Sequence, residues 1–238
     1  IRLLIDSDAK NEIDDQYAIA LAITSPERFA IEGFVGANYD NARGGPDGVQ
    51  KSVDEINLVL DKAGMAGQWP VLRGSDPMQY QFQPSPSEGV DFLIERAMAG
   101  SPEDPLWVVG LGAATDMASA FLKEPAILDR VVVFWHFRTR WPEKCYNFNV
   151  FGDVRAARVL FHSPLPFVLF DTGTYLTLPM EESERELGPL GALGEVLSTH
   201  PMMVRRIEEL RRYAISDEYR RLQPLLARNE ELSTFHVT

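Results

Sequence analysis

Short apolar runs alternate along the chain with longer stretches in which apolar residues recur at helical spacing. The apolar runs predict six strands, at residues 3–5, 31–35, 71–72, 106–109, 131–135 and 166–170. The helical spacing predicts six helices, at residues 15–23, 48–63, 89–98, 115–122, 154–161 and 201–213. Because short apolar strands alternate with helices, we expect an α/β fold with a doubly wound, mostly parallel central sheet and flanking helices.

Four carboxylates follow the first predicted strand. Asp6 and Asp8 come at its end, and Asp14 and Asp15 open the first predicted helix, whose amino end favours anionic side chains. A single aspartate in such a place more often caps a helix or satisfies a turn. Four of them repel one another unless a hard cation such as Ca²⁺ or Mg²⁺ lies between them. The cluster therefore predicts a metal site at the carboxyl edge of the sheet, where ligands bind in this architecture.

Composition limits the class of protein. The chain has 238 residues, of which 45% are hydrophobic, so we expect residues 1–238 to form a single domain. The net charge of −12 argues against a nucleic-acid partner. The single cysteine, Cys145, excludes an internal disulfide and a Cys-rich zinc site. We see no membrane-spanning run or secretory signal and expect a cytoplasmic protein, although a chain that begins with Ile1 is compatible with a removed leader.

Four segments, in this order, resemble the nucleoside hydrolases of the inosine–uridine-preferring type. The first, at 6–15, is an Asp-x-Asp pair after an apolar strand, followed by Asp-Asp; its internal gap is longer than in the best-known members. The others, at 33–38, 112–118 and 147–157, resemble a strand ending in Gly-Asn, a Gly-x-Leu-Thr-Asn-x-Ala turn and an Asn-containing helix start. Asp116 replaces the Asn of that turn. The resemblance implies a nucleoside hydrolase-like fold.

The resemblance also implies an activity, namely hydrolysis of the N-glycosidic bond of ribonucleosides, or of a related ribosyl substrate, to base and ribose. The cofactor would be Ca²⁺, which activates the attacking water. Asp8 would be both metal ligand and general base, Asp15 a bridging ligand, and the backbone carbonyl of Leu111 a third ligand. Asp14 would hold a ribose hydroxyl through a charge-assisted hydrogen bond. Asp6 is interpreted as support that orients the site, or as a strand-end acid that satisfies loop amides.

Further candidates for substrate binding follow the second and fifth predicted strands and open the fourth segment of the resemblance. Asn38 and Asn149 would contact ribose hydroxyls. Asn147 stands where many members have Glu, and Phe148 would pack on the sugar or base. His136, after the fifth strand, could protonate the leaving base. Each has a structural alternative: Asn38 could turn the chain, Phe148 could be a core aromatic, and His136 could be a hydrogen-bonded loop residue.

Two expected groups are absent from the sequence, and alternatives follow from that. The family's fourth carboxylate lies near the carboxyl end, but His236 is not followed by an Asp before Thr238, so we expect the domain to be incomplete there. The leaving-group histidine has no clear counterpart. One alternative is a non-catalytic Ca²⁺- and sugar-binding member of the same fold. Another is Mg²⁺-dependent phosphotransfer of the haloacid-dehalogenase type, although Asn38 stands where that chemistry needs Ser or Thr. The resemblance implies a homo-oligomer, a dimer or tetramer.

Overall fold

The computed structural model describes residues 1–39, 45–137 and 147–170, which belong to one compact unit. It contains six strands, β1 to β6, at Arg2–Ser7, Ala30–Gly36, Val71–Arg73, Leu106–Gly110, Val131–His136 and Phe167–Phe170. All six predicted strands are confirmed. The prediction of a single domain over residues 1–238 stays a prediction, because 171–238 lie outside the described residues.

Six α-helices, α1 to α6, lie in the described ranges at Ile13–Ile23, Gly48–Lys62, Glu88–Met98, Thr115–Lys123, Phe148–Gly152 and Val154–His162. Short 3₁₀ helices cover Gly45–Asp47 and Pro125–Asp129. Five helices were predicted, whereas α5 was not, because its 5 residues are too few to show a helical period. The predicted helix at 201–213 lies outside the described residues. No helix of the described part of the chain is long and apolar enough to cross a membrane.

The strands form one parallel sheet in the order β3-β2-β1-β4-β5-β6, which confirms the predicted doubly wound α/β class. The order of the strands along the chain reverses at β1, so β1 lies between β2 and β4. In such sheets a crevice opens at the carboxyl ends of the strands on either side of this reversal. Asp6, near the end of β1, pairs with Val35 of β2 and Gly110 of β4, so it lies at this crevice.

Burial of both faces explains why the strands are apolar rather than alternating. On one face, residues of β1, β2, β4 and β5 pack against α3, α4 and α6 around fully buried Trp135. This cluster includes Leu4, Val35, Leu93, Val108, Met117, Val133, Ala157 and Leu160. A rigid core directly beneath the carboxyl ends of the strands fixes the positions of the loops that follow them.

The pairing of β1 with β2 contains one irregularity. Leu3 pairs with Ile31 and Leu4 with Gly33, so Glu32 is an extra residue on β2. Its carboxylate accepts a hydrogen bond of 2.9 Å from Arg2 Nε. The Arg2 guanidinium also donates to the Arg96 carbonyl at 2.7 Å. The irregularity is thus held by side chains from β1 and α3.

Candidate active site

Two buried carboxyl groups meet at the end of β1. Asp8 is 3% exposed and Asp15 is 5% exposed, and their side chains are hydrogen bonded to each other. Asn11 Nδ2 donates to Asp8 Oδ2 at 3.1 Å, and Ser7 Oγ donates to Asp15 Oδ2 at 3.2 Å. Asp15 reaches this position because α1 begins at Ile13, which places it in the first helical turn. The predicted convergence of Asp8 and Asp15 is therefore observed.

Burial controls the ionisation of this pair. Loss of solvent raises the pKa of Asp8 to about 7. Burial, followed by the nearby charges of Asp8 and Asp14, raises the pKa of Asp15 well above its usual range. Two facing carboxyl groups in such a place share a proton or a cation. Asp14 itself is exposed in the first turn of α1, where it is accessible to a ligand.

Asp6 and Asp116 form a second acidic feature behind the first. Asp6 is fully buried, and neither of its carboxyl oxygens has a hydrogen-bond partner within the described residues. Burial, then Asp116 and Asp8, raise the pKa of Asp6 well above its usual range. Asp116 Oδ1 accepts hydrogen bonds from Ser75 N at 2.7 Å and Ser87 Oγ at 3.4 Å. Sequence reasoning noted Asp116 only as a replacement for Asn and missed its burial.

The loop after β4 lies against Asp8. A Cβ atom on Gly112 would lie 2.9 Å from Ala37 Cβ and 3.0 Å from Asp8 Oδ1, so the approach requires glycine. Trp135 Nε1 donates to the Gly112 carbonyl at 2.9 Å and holds the loop from below. Leu111 N donates to the Asp6 carbonyl at 2.8 Å, which continues the sheet beyond β4. The Leu111 carbonyl is thereby fixed beside the end of β1.

Asn149 joins the ends of β4 and β5. Its Nδ2 atom donates to the Leu111 carbonyl at 2.5 Å and to the His136 carbonyl at 2.8 Å. Both amide hydrogens are therefore used by the backbone, and only Oδ1 can interact with a ligand as an acceptor. His136, the last residue of β5, is partly buried. The structure thus brings three predicted site residues, Leu111, His136 and Asn149, into one hydrogen-bonded unit.

Asn38 lies at the end of β2 in a buried network that the sequence did not reveal. Its Nδ2 atom donates to the Ser75 carbonyl at 3.1 Å and to Thr115 Oγ1 at 2.8 Å. Thr115 Oγ1 donates to Asp153 Oδ2 at 3.0 Å. Asn38 Oδ1 is buried without a hydrogen-bond partner among the described residues. An unpaired acceptor of this kind costs about 1–3 kcal/mol.

Two predicted contacts with substrate lie at the start of α5. Asn147 is 6% exposed and caps the helix, since its Oδ1 accepts a hydrogen bond from Val150 N at 2.9 Å. Phe148 is the first helical residue and is partly buried. Asp153 caps the next helix, α6, since its Oδ1 accepts a hydrogen bond from Ala156 N at 3.0 Å. His236 lies outside the described residues.

The lengthened segment between Asp8 and Asp14 is attached to α2. Lys10 Nζ and Gln16 Nε2 each donate to the buried carboxylate of Glu55, at 2.7 Å in both cases. Gln16 Nε2 also donates to the Ala9 carbonyl at 3.3 Å. These contacts hold the segment that follows Asp8 in one conformation, so its extra length does not loosen the site.

Solved structures resemble this chain, although no family model and no curated protein sequence matches it. The purine-preferring ribonucleoside hydrolase from Gardnerella vaginalis has a TM-score of 0.60 and 21% identity, over 81% of this chain and 69% of that one. The inosine–uridine-preferring nucleoside hydrolase from Bacillus anthracis has a TM-score of 0.59 and 13% identity, over 80% and 72%. This chain has the nucleoside hydrolase fold. The resemblance predicted from four sequence segments is confirmed at the level of the fold.

A third solved structure that is similar to this chain is that of the type III effector protein XopQ in complex with adenosine diphosphate ribose. Its TM-score is 0.53 at 17% identity, over 71% of this chain and 56% of that one. The present chain therefore spans between about half and three quarters of the length of these neighbours.

The oxygen donors at the end of β1 are of the chemical type that a hard cation binds. Asp8 and Asp15 offer facing carboxylates, and Leu111 offers a carbonyl, which are the ligand types that Ca²⁺ prefers. Within residues 1–39, 45–137 and 147–170, no group of three or more His, Cys, Asp or Glu side chains is arranged to hold a metal ion. That this chain binds Ca²⁺ stays a prediction.

Proposed function

We propose that this chain is a hydrolase that cleaves the N-glycosidic bond of ribonucleosides, or of a related ribosyl substrate, to base and ribose. One observation carries the proposal. Asp8 and Asp15 form a buried, facing carboxyl pair at the carboxyl end of β1 in a nucleoside hydrolase fold. This is where parallel α/β sheets bind their ligands.

Asp8 is the proposed general base, since its carboxylate can accept the proton of the attacking water. Asn11 holds one oxygen of Asp8, and Gly112 allows the loop after β4 to approach the other. Bound Ca²⁺, held by Asp8, Asp15 and the Leu111 carbonyl, would lower the pKa of that water and orient it. The protein groups thereby fix the direction from which water reaches the anomeric carbon.

The sugar would be held by groups that accept hydrogen bonds. Asp14 is an exposed carboxylate, and Asn38 and Asn149 each have only Oδ1 left for a ligand. Ribose hydroxyls can donate to all of these. Phe148 and Asn147 would border the sugar or base at the start of α5, and His136 at the end of β5 would donate a proton to the leaving base.

The test is release of ribose and free base from purine and pyrimidine ribonucleosides by the full chain with Ca²⁺ present. Asp8→Asn keeps the size of the side chain but removes the base, so we expect kcat to fall about 10²–10⁴-fold. Asp61→Asn is the matched control, because Asp61 is an exposed residue near the end of α2. Wild-type turnover in Asp8→Asn would contradict the proposed base, and no turnover by the wild type would contradict the activity.

A second candidate is a non-catalytic protein that binds ribosyl compounds in the same site. The observation that favours it is the XopQ structure, in which the same fold holds adenosine diphosphate ribose. This candidate predicts that adenosine diphosphate ribose or ribose raises the Tm while no base is released. The phosphotransfer alternative gains no support from the site, because buried Asn38 stands where that chemistry needs a hydroxyl.

A further inference from the structure

We infer that Thr115 and Asp153 are positioning residues that fix the side-chain amide of Asn38 as a hydrogen-bond acceptor for a substrate hydroxyl. The inference rests on the proposed function, in which Asn38 binds the sugar. It assigns a role at the site to Thr115, the first residue of a predicted helix, and to Asp153, which precedes another.

The orientation of the Asn38 amide follows from what surrounds it. The Ser75 carbonyl, 3.1 Å from one end of the amide, can only accept a hydrogen bond, so that end is the nitrogen. The second hydrogen of the same nitrogen points to Thr115 Oγ1 at 2.8 Å. A flipped amide would lose the Ser75 contact, and it would keep the Thr115 contact only if the Thr115 hydroxyl turned around to donate.

Asp153 prevents that turn. A hydroxyl has one proton, and Thr115 gives it to Asp153 Oδ2 at 3.0 Å. The same oxygen accepts from Met78 N at 2.8 Å, and Asp153 Oδ1 accepts from Ala156 N at 3.0 Å. Because Asp153 accepts at both oxygens, the Thr115 oxygen is left to accept from Asn38.

The whole chain of contacts is protected from water. Asn38 and Thr115 are 0% exposed and Asp153 is 4% exposed. With both hydrogens of the amide committed, Asn38 Oδ1 is a buried acceptor with no partner among the described residues. A ligand that donates a hydrogen bond satisfies it, whereas one that only accepts is repelled. Asn38 therefore selects for a sugar hydroxyl over a fluorine or an O-methyl group at the same position.

Thr115→Val tests the inference by removing the hydroxyl while keeping the shape of the side chain. We expect KM for the best ribonucleoside to rise about 10-fold or more, with kcat changed less, because the loss concerns a binding contact that is no longer held in place. Thr115→Ser keeps the hydroxyl and should restore KM. Thr24→Val is the matched control, since Thr24 only donates to backbone carbonyls at the end of α1.

Two kinetic outcomes would contradict this expectation. Unchanged KM and kcat in Thr115→Val, or an equal loss in Thr115→Ser, would overturn the inference. In an Asn38→Ala background, Thr115→Val should add no further loss, because its target is gone. A full additional loss there would mean that Thr115 acts only through the stability of the fold.

A second measurement does not require activity. Hydrogen exchange of the Asn38 side-chain amide, followed by NMR, should be slow in the wild type and in Thr115→Ser and faster in Thr115→Val. The amide of Asn57, which donates to the Val53 carbonyl on α2, should not change among the variants. If the wild type hydrolyses no nucleoside but the exchange rates change as expected, only the proposed function is contradicted, and the role of Thr115 in holding Asn38 stands. Fast exchange in the wild type, or no change in Thr115→Val, would overturn the role of Thr115.

Discussion

At the scale of single residues, the atoms that surround a position decide which residue type the site needs there. Gly112 and Asp116 belong to a segment that the sequence singled out, but the sequence did not show why either residue type is there. Gly112 is needed because Asp8 and Ala37 leave no room for a Cβ atom. Asp116 is a fully buried carboxyl group, and burial, followed by the charge of Asp153, opposes its ionisation and raises its pKa.

Gly112→Ala is expected to displace Asp8, because the new methyl group would lie within about 3 Å of the Asp8 side chain. The turnover per folded molecule should fall at least about 10-fold. Gly33→Ala is the control for crowding, since a Cβ there meets the Phe92 ring instead. Gly33→Ala should lower the Tm but keep the turnover of the folded fraction. Equal turnover in the two variants would mean that Gly112 does not position Asp8.

Asp116→Asn should change how stability depends on pH. Burial raises the pKa of Asp116 to about 7, so between about pH 4 and pH 7 the folded protein holds a proton that the unfolded chain has released. The free energy of unfolding therefore falls as pH rises through this window, by up to a few kcal/mol.

Removing the Asp116 carboxyl group should make the free energy of unfolding decrease less between these pH values. Urea unfolding at pH 5 and pH 8 measures the decrease in each protein. Asp6, Asp8 and Asp15 also have raised pKa values and remain in the variant, so the comparison is the difference between the two proteins. An identical loss of stability in both would show that Asp116 does not hold a proton in the fold.

At the scale of elements, strands and helices could be predicted because each is a local pattern. Buried parallel strands are continuous apolar runs, and helices such as α2 and α6 repeat their apolar residues at helical spacing. The connections among them could not be predicted in the same way. Asn38 meets Thr115 across 77 residues, and Thr115 meets Asp153 across 38, which no local pattern records. The carboxylates of the site were predictable because Asp8 and Asp15 are close in sequence.

The attachment of the Asp8–Asp14 segment to α2 depends on one acid. Glu55→Ala would leave buried Gln16 without this acceptor, whereas the ammonium group of exposed Lys10 would turn to water. We expect a loss of about 1–3 kcal/mol in the free energy of unfolding, measured in urea. Glu95→Ala on α3 is the control, because the Glu95 side chain is 64% exposed. A loss no greater than that of the control would mean that the segment is held by other contacts.

At the scale of the whole molecule, the fold concentrates its acids at one edge of the sheet. The strand order places the ends of β1 and β4 side by side, so Leu111 is bonded to Asp6 and Gly112 lies against Asp8 although they are far apart in sequence. A buried carboxyl pair there destabilises the metal-free protein. A cation that binds the folded state alone should stabilise it.

Ca²⁺ is therefore expected to raise the Tm, and a chelator should reverse the effect. At a concentration about 100 times the Kd, the gain would be about 2.7 kcal/mol. Asp15→Asn should abolish most of the response, whereas Asp61→Asn on the surface should keep it. A Tm that is the same with Ca²⁺ and with chelator would argue against a resident cation in this chain.

The number of residues in β2 determines which way the side chains after it point, and Glu32 is the extra residue of that strand. Side chains on a strand point alternately to its two sides, so one added or removed residue reverses every later one. Glu32 itself is the exception, because Leu3 pairs with Ile31 and Leu4 with Gly33, so without it the pairing would be regular and the later residues of β2 would keep their partners. A deletion of Glu32 alone should therefore leave the Asn38 amide facing Ser75 and Thr115, whereas a one-residue deletion between Gly33 and Gly36 would turn it away.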